Sequence, residues 1–211
     1  MVHVDEASKH GTSRGKSREK HDRILGAAMA VFLDRGFEGA SLEQIAIAAN
    51  VSKQTIYNHF GDKASLFRAI CLSLTEQVTA QLIPTARPHQ DVKAGLTRVG
   101  RVYLDLVLRT DALALHRIII SEVARFPDLG PAIYAEGAAR ATAALAAWLA
   151  AQEELVVEDA EAAAENFFSL LKGNRQIRAL LGVPPDHDEP SRARVVGQAV
   201  EMFLRAYAKP A

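Results

Sequence analysis

The stretch SLEQIAIAANVSKQTIYNHFG, residues 41–61, leaves this chain few ways to fold. Ser41-Leu42-Glu43-Gln44 has the form of a capping box, in which the serine hydroxyl accepts from the third helical N–H and Gln44 reaches back to the cap. Leu42, Ile45, Ala46 and Ala49 follow at i, i+3, i+4 and i+7, which is one face of a helix. The pattern stops at Asn50-Val51, and Ser52 is a fresh N-cap. Gly61 ends the second helix and Asp62 caps a third. The spacing therefore predicts two short helices across a tight turn. The second of them carries Lys53, Gln54, Thr55, Tyr57, Asn58 and His59, nearly all able to hydrogen-bond and few of them charged.

The rest of the chain is helical in pattern as well. Residues 1–16 have no periodicity and read as a flexible basic arm; from Lys9 to Arg23 the cations Lys9, Arg14, Lys16, Arg18, Lys20 and Arg23 face only Glu19 and Asp22. A helix over roughly 17–34 aligns Ile24, Ala28, Val31 and Phe32, with Gly36 placed to end it and Phe37 to fold back on its last turn. Further helices are predicted from Asp62 to about Leu82, then over about 90–109, 111–125, 131–151, 158–181 and 190–208. Their breaks fall at Pro84 to Pro88, Phe126 to Pro131 and Gly182 to Pro185. No strand alternation is present. The expectation is an all-α chain of about nine helices, divided into an arm over 1–16, a helix-turn-helix domain over 17–67 and a further helical domain over 68–211.

Composition limits the function classes. With 211 residues, 49% of them hydrophobic, there is enough apolar material for one large or two modest domains. The net charge is zero, so any nucleic-acid binding must rest on a local patch. A lone cysteine, Cys71, rules out an internal disulfide. The N-terminus lacks an apolar h-region and no run is apolar enough to span a bilayer, so a soluble, cytoplasmic protein is expected.

At about 100° per residue, Ile56 and Phe60 share one narrow arc and face a core, while Gln54 and Asn58 point outward with Tyr57 and Thr55 on the flanks. Glutamine and asparagine pair bidentately with adenine, and threonine contacts a thymine methyl. The preceding helix would brace this one across the backbone of the duplex. The N-termini after Ser41, Ser52 and Asp62, together with Lys63 and the arm, suit phosphate contacts. The alternative left open is an ordinary polar surface on a small helical bundle.

Phe37-Glu38-Gly39-Ala40-Ser41, Ile45-Ala46, Ala49 through Phe60, Lys63 and Leu66-Phe67 resemble the N-terminal domain of the TetR/AcrR family of bacterial transcriptional repressors. The resemblance covers about 20–67, with Ala40 standing where a threonine is common. It implies a three-helix domain whose third helix reads the major groove. By position it implies base or backbone contacts for Gln54, Thr55, Tyr57, Asn58 and His59, and phosphate contacts for Ser41 and Lys63; Ser52 and Lys53, at the start of the same helix, complete the expected DNA-binding set. His116 to Pro127 and Phe167 to Gly173 look like the C-terminal domain of an AcrR-like subgroup. That implies a ligand pocket among the helices of about 62–155 and a twofold four-helix bundle made by the last two helices. The stripe Val196, Val200, Phe203 and Tyr207, with Phe167, is the expected dimer interface; the alternative is that it is buried within its own chain.

Candidate effector contacts are Tyr103, His116 and Phe168, polar or aromatic groups within apolar helices. Asp186-His187-Asp188-Glu189 lies in a proline-bounded turn with no second histidine nearby, so no metal site is expected. No nucleophile elbow, P-loop or glycine fingerprint is present, so neither catalysis nor a cofactor is expected. Cys71 is expected to be inert core. The function expected is a homodimeric repressor released from a pseudo-palindromic operator by a small lipophilic effector. A helical small-molecule-binding protein or enzyme that does not use DNA, and an activator on the same scaffold, remain the alternatives.

Overall fold

A computed structural model of the protein describes residues 8–82, 91–183 and 189–210. The predicted breaks at Pro84 to Pro88 and at Pro184-Pro185 lie outside these residues. The described residues hold helices and an isolated bridge between Leu155 and Ala208. The chain divides into two compact units, Met1–Cys71 and Leu72–Ala211.

The first unit contains α1 (Ser8–Gly39), α2 (Leu42–Ala48), α3 (Lys53–Phe60) and the start of α4 (Lys63–Leu82). Residues 1–7 of the expected arm are outside the description; Ser8 onward is helical and continuous with α1, so the first helix begins earlier than the expected residue 17. Lysine, arginine and glutamate are good helix formers, and a helix already nucleated by packing extends at one hydrogen bond per residue. That nucleus is the buried stripe Ile24, Ala28 and Phe32. Gly36 breaks the helical path with φ 68° and ψ 176°, a conformation that disfavours a side chain. The turn brings Phe37 back onto Phe32, ring centroids 5.7 Å apart, and Phe67 stands edge-on to both at 5.3 Å.

Lys63 closes this corner. Its Nζ donates to the carbonyls of Phe37 at 2.8 Å, Ala40 at 3.0 Å and Glu38 at 3.5 Å, and it lies 4.5 Å from the centre of the Phe37 ring. A lysine ammonium has three N–H donors, and all three point at the carbonyl end of α1, where the helix dipole favours a cation.

The second unit contains α5 (Val92–Val107), α6 (Thr110–Glu122), α7 (Leu129–Tyr134), a π-helical turn (Ala135–Ala139), α8 (Arg140–Ala150), α9 (Ala160–Lys172), α10 (Arg175–Leu180) and α11 (Glu189–Tyr207). Helices α5, α8, α9 and α11 share one apolar core built on Leu96, Trp148, Leu149, Phe167, Leu171 and Phe203. Helix α10 packs on α6, where the Arg117 guanidinium donates to the carbonyls of Leu180 at 2.9 Å and Ala179 at 2.7 Å. The helix predicted over 158–181 is broken at Gly173, whose φ of 47° ends α9.

The expected dimer stripe needs correction. Phe167, Val196, Val200 and Phe203 are at most 1% exposed in the single chain, and Tyr207 is half-buried beside Phe203. These four side chains are covered within their own chain, and only Tyr207 of the stripe retains exposed surface. The outward side of α11 instead carries Arg194, Gly197, Gln198, Glu201, Met202 and Arg205.

Two tests follow from this packing. Lys63→Met removes three charge-assisted hydrogen bonds and is expected to destabilise the first unit by about 1–3 kcal/mol. Amide hydrogen exchange should show lost protection across α1 to α3 with the second unit unchanged; unaltered protection would contradict the clamp. At Gly95, an added Cβ would lie 2.6 Å from Cζ2 and 2.7 Å from Cη2 of Trp148. Gly95→Ala should therefore lose about 1–3 kcal/mol to overpacking, more than the ~1 kcal/mol that alanine returns in helix propensity. A lower melting temperature with altered fluorescence of Trp148, the chain's one tryptophan, is the expected result.

Candidate nucleic-acid interface

Helix α3 is fixed at both ends by its own sequence. The Ser52 hydroxyl oxygen accepts from the Thr55 backbone N–H at 3.1 Å and lies 2.9 Å from the Thr55 hydroxyl. At the far end Gly61, at φ 82°, donates to the Tyr57 carbonyl. The turn before α3 is tight: Asn50 takes φ 50°, and the Val51 N–H returns to the Ala46 carbonyl at 3.0 Å. The capping box of α2 is complete, with Gln44 N–H to Ser41 Oγ at 3.2 Å and Ser41 N–H to Gln44 Oε1 at 3.0 Å. Asp62 Oδ1 accepts from the Ser65 N–H at 2.7 Å, a bond that holds its carboxyl below the usual range.

These ends set which way α3 faces. Ile56 is fully buried, and Phe60 is half-buried against the His21 ring of α1 at 4.8 Å. Gln54 and Asn58 are exposed one turn apart and joined by a hydrogen bond from Nε2 to Oδ1 of 3.0 Å. Tyr57 is exposed on one flank, His59 is exposed, and Thr55 is half-buried at the cap. The outward arc thus holds amide, hydroxyl and imidazole groups, with the two amides already oriented by each other. An amide pair in this arrangement can present a donor and an acceptor together, as an adenine edge requires.

The charged groups behave differently. Lys53, the first residue of α3, pairs with Glu43 in the first turn of α2 and lies 5.7 Å above the Tyr57 ring. Their hydrogen bond lowers the Glu43 pKa and raises that of Lys53. The spacing of ten residues across a turn gave no sign of this pair. Lys63, expected at a phosphate, has its donors on α1 carbonyls instead.

In the second unit Tyr103 and Phe168 are brought together, their rings stacked at 4.4 Å. Burial pushes the Tyr103 phenol up to about 12. His116 is exposed on α6. Desolvation by its neighbours, and then the Lys172 ammonium one turn beyond Phe168 on α9, lower its pKa. Cys71 is buried, which pushes its thiol up to about 12 and leaves little nucleophilic thiolate. Residues 186–188 lie outside the description, and among the described residues no cluster of metal-ligating side chains occurs. No helix among the described residues is long and apolar enough to cross a membrane.

Comparison with known proteins agrees with this geometry. Residues 24–70 match the family of bacterial regulatory proteins of the tetR type, and residues 94–209 match the C-terminal domain of AefR-like transcriptional repressors. A TetR-family transcriptional regulator from Mesorhizobium loti superposes with a TM-score of 0.85 at 30% identity, covering 92% of this chain and 98% of that one. The flavonoid-responsive regulator FrrA gives a TM-score of 0.74 at 30% identity, covering 92% and 99%. The transcriptional activator FasR of Mycolicibacterium smegmatis is 29% identical over 42% of this chain and 41% of its own length. Such curated relatives are matched over about half their length or less. The two family models are those of DNA-binding transcriptional regulators. With its two family matches and these full-length neighbours, the chain belongs to the TetR family of bacterial transcriptional regulators.

Proposed function

We propose that this protein is a cytoplasmic, ligand-responsive repressor that binds a pseudo-palindromic operator as a homodimer. The observation that carries the proposal is the outward face of α3, where Gln54 and Asn58 stand exposed, mutually hydrogen-bonded and anchored from behind by the buried Ile56. In the dimer one α3 from each subunit enters successive major grooves. Gln54 and Asn58 read base edges; Thr55, Tyr57 and His59 add base or backbone contacts from the flanks; and Ser41 and Ser52 place helix N-termini against phosphates. The domain division proposed is a DNA-binding portion to about residue 67 and an effector and dimer portion beyond it.

Repression is favoured by the match of residues 94–209 to a repressor C-terminal domain. Activation on the same scaffold is the second reading, favoured by the similarity to an activator. A lipophilic effector is supported by the aromatic pair Tyr103 and Phe168 and by the relative named for flavonoids. The effector acts only through its differential affinity for two conformations, with a coupling of about 1–3 kcal/mol. Dimerisation is assigned to the exposed sides of α9 and α11, not to the buried stripe between them.

The test is anisotropy titration of labelled DNA from upstream of the protein's own gene, with scrambled competitor. Competitor-resistant binding that weakens by about 1–3 kcal/mol in Gln54→Ala, with relaxed preference at one base position in each half-site, is the expected outcome. Operator binding indifferent to Gln54→Ala and to Asn58→Ala would refute this assignment of the reading face.

A further inference from the structure

From Leu42 to Phe60 the helix-turn-helix contains a single lysine or arginine, Lys53, and a single carboxylate, Glu43. They are paired with each other. The next cation along the chain, Lys63, has its ammonium on the carbonyls of Phe37, Glu38 and Ala40. Between Leu42 and Phe60 the lysine and carboxylate charges thus cancel, in a chain whose net charge is zero. Both members of the pair are exposed, with side-chain accessibilities of 46% and 58%, so the pair is open to competition from an anion.

We propose that Glu43 sets the affinity and salt dependence of this DNA reader by withholding Lys53 from the phosphate backbone. The proposal rests on α3 being the DNA-reading helix. Phosphate contacts bind every sequence alike, and each one neutralised adds about 0.9 to the salt slope of binding. A carboxylate that occupies Lys53 removes one such contact and places a negative charge beside the phosphates. Sequence-independent binding is weakened, while the hydrogen bonds of Gln54 and Asn58 to base edges are untouched. Operator and non-operator binding are weakened by the same factor, so base-edge contacts carry a larger share of the binding that remains.

The experiment compares the full-length protein with Glu43→Gln and with Glu43→Gln combined with Lys53→Gln. The probe is a labelled duplex of about 30 base pairs of random sequence, long enough to cover two half-sites one helical turn apart, titrated between 50 and 200 mM salt. Glutamine keeps the size and the helix of Glu43 but cannot hold the ammonium by charge. Glu43→Gln should bind more tightly, with a salt slope steeper by about 0.9, so that its advantage at 50 mM exceeds that at 200 mM by about threefold. Adding Lys53→Gln should abolish the gain. A gain that persists without Lys53 would show a general charge effect and overturn the latch. No gain in Glu43→Gln, including no detectable binding by either protein, would overturn it as well. Equal melting temperatures check that each variant is folded. The two failures are distinguishable: no gain in Glu43→Gln while Gln54→Ala still weakens operator binding overturns the latch alone, whereas indifference to Gln54→Ala and Asn58→Ala overturns the reading on which it rests.

Discussion

A helix leaves four N–H groups at its start and four carbonyls at its end without internal partners. Helices α2 and α3 have seven and eight residues and consist of little else. Their stability depends on how those end groups are satisfied. Ser41 and Gln44 serve one start, Ser52 another and Asp62 a third. The carbonyl end of α1 is served by a side chain from across the unit, the Lys63 ammonium. Each bond also fixes a direction. Together they decide that Ile56 faces in and that Gln54 and Asn58 face out, and the recognition chemistry inherits its geometry from these caps.

In the proposed function, the consequence is a recognition surface that is ordered before DNA arrives. Gln54 holds Asn58, Ser52 holds Thr55, and Glu43 holds Lys53. Pre-ordering lowers the entropy lost on binding, because the side chains are already restricted to few rotamers. It also shifts the balance of forces. With its lysine paired, α3 would add less phosphate attraction and more matched hydrogen bonding, and matched hydrogen bonds distinguish sequences. The near-zero net charge that argued against a general nucleic-acid binder is consistent with a reader of this type.

The local parts of this design were legible in the sequence. Capping signals act over three residues and apolar stripes over one or two helical turns, so Ser41, Ser52, Gly36 and Ile56 could be placed without a fold. What was not legible depends on distance along the chain. Lys63 reaches carbonyls 23 to 26 residues away, and Glu43 meets Lys53 across a turn of ten residues. Neither contact has a periodicity to reveal it. The stripe on α11 shows a different limit. Val196, Val200 and Phe203 declare that a partner helix exists, but an apolar face reads the same whether α5 and α9 of its own chain cover it or a second copy does. The break at Gly173 was hidden for a different reason: an isolated glycine is tolerated inside a helical pattern and does not by itself mark its end.

The most direct test of the central claim, that α3 reads DNA sequence from a paired and ordered polar face, is a random-sequence selection with the purified full-length protein followed by sequencing of the bound pool. Two related half-sites in inverted orientation, centred about 10 base pairs or a multiple of that apart, are the predicted result. A pool that shows no enriched sequence after repeated rounds, at salt low enough to retain DNA, would contradict it.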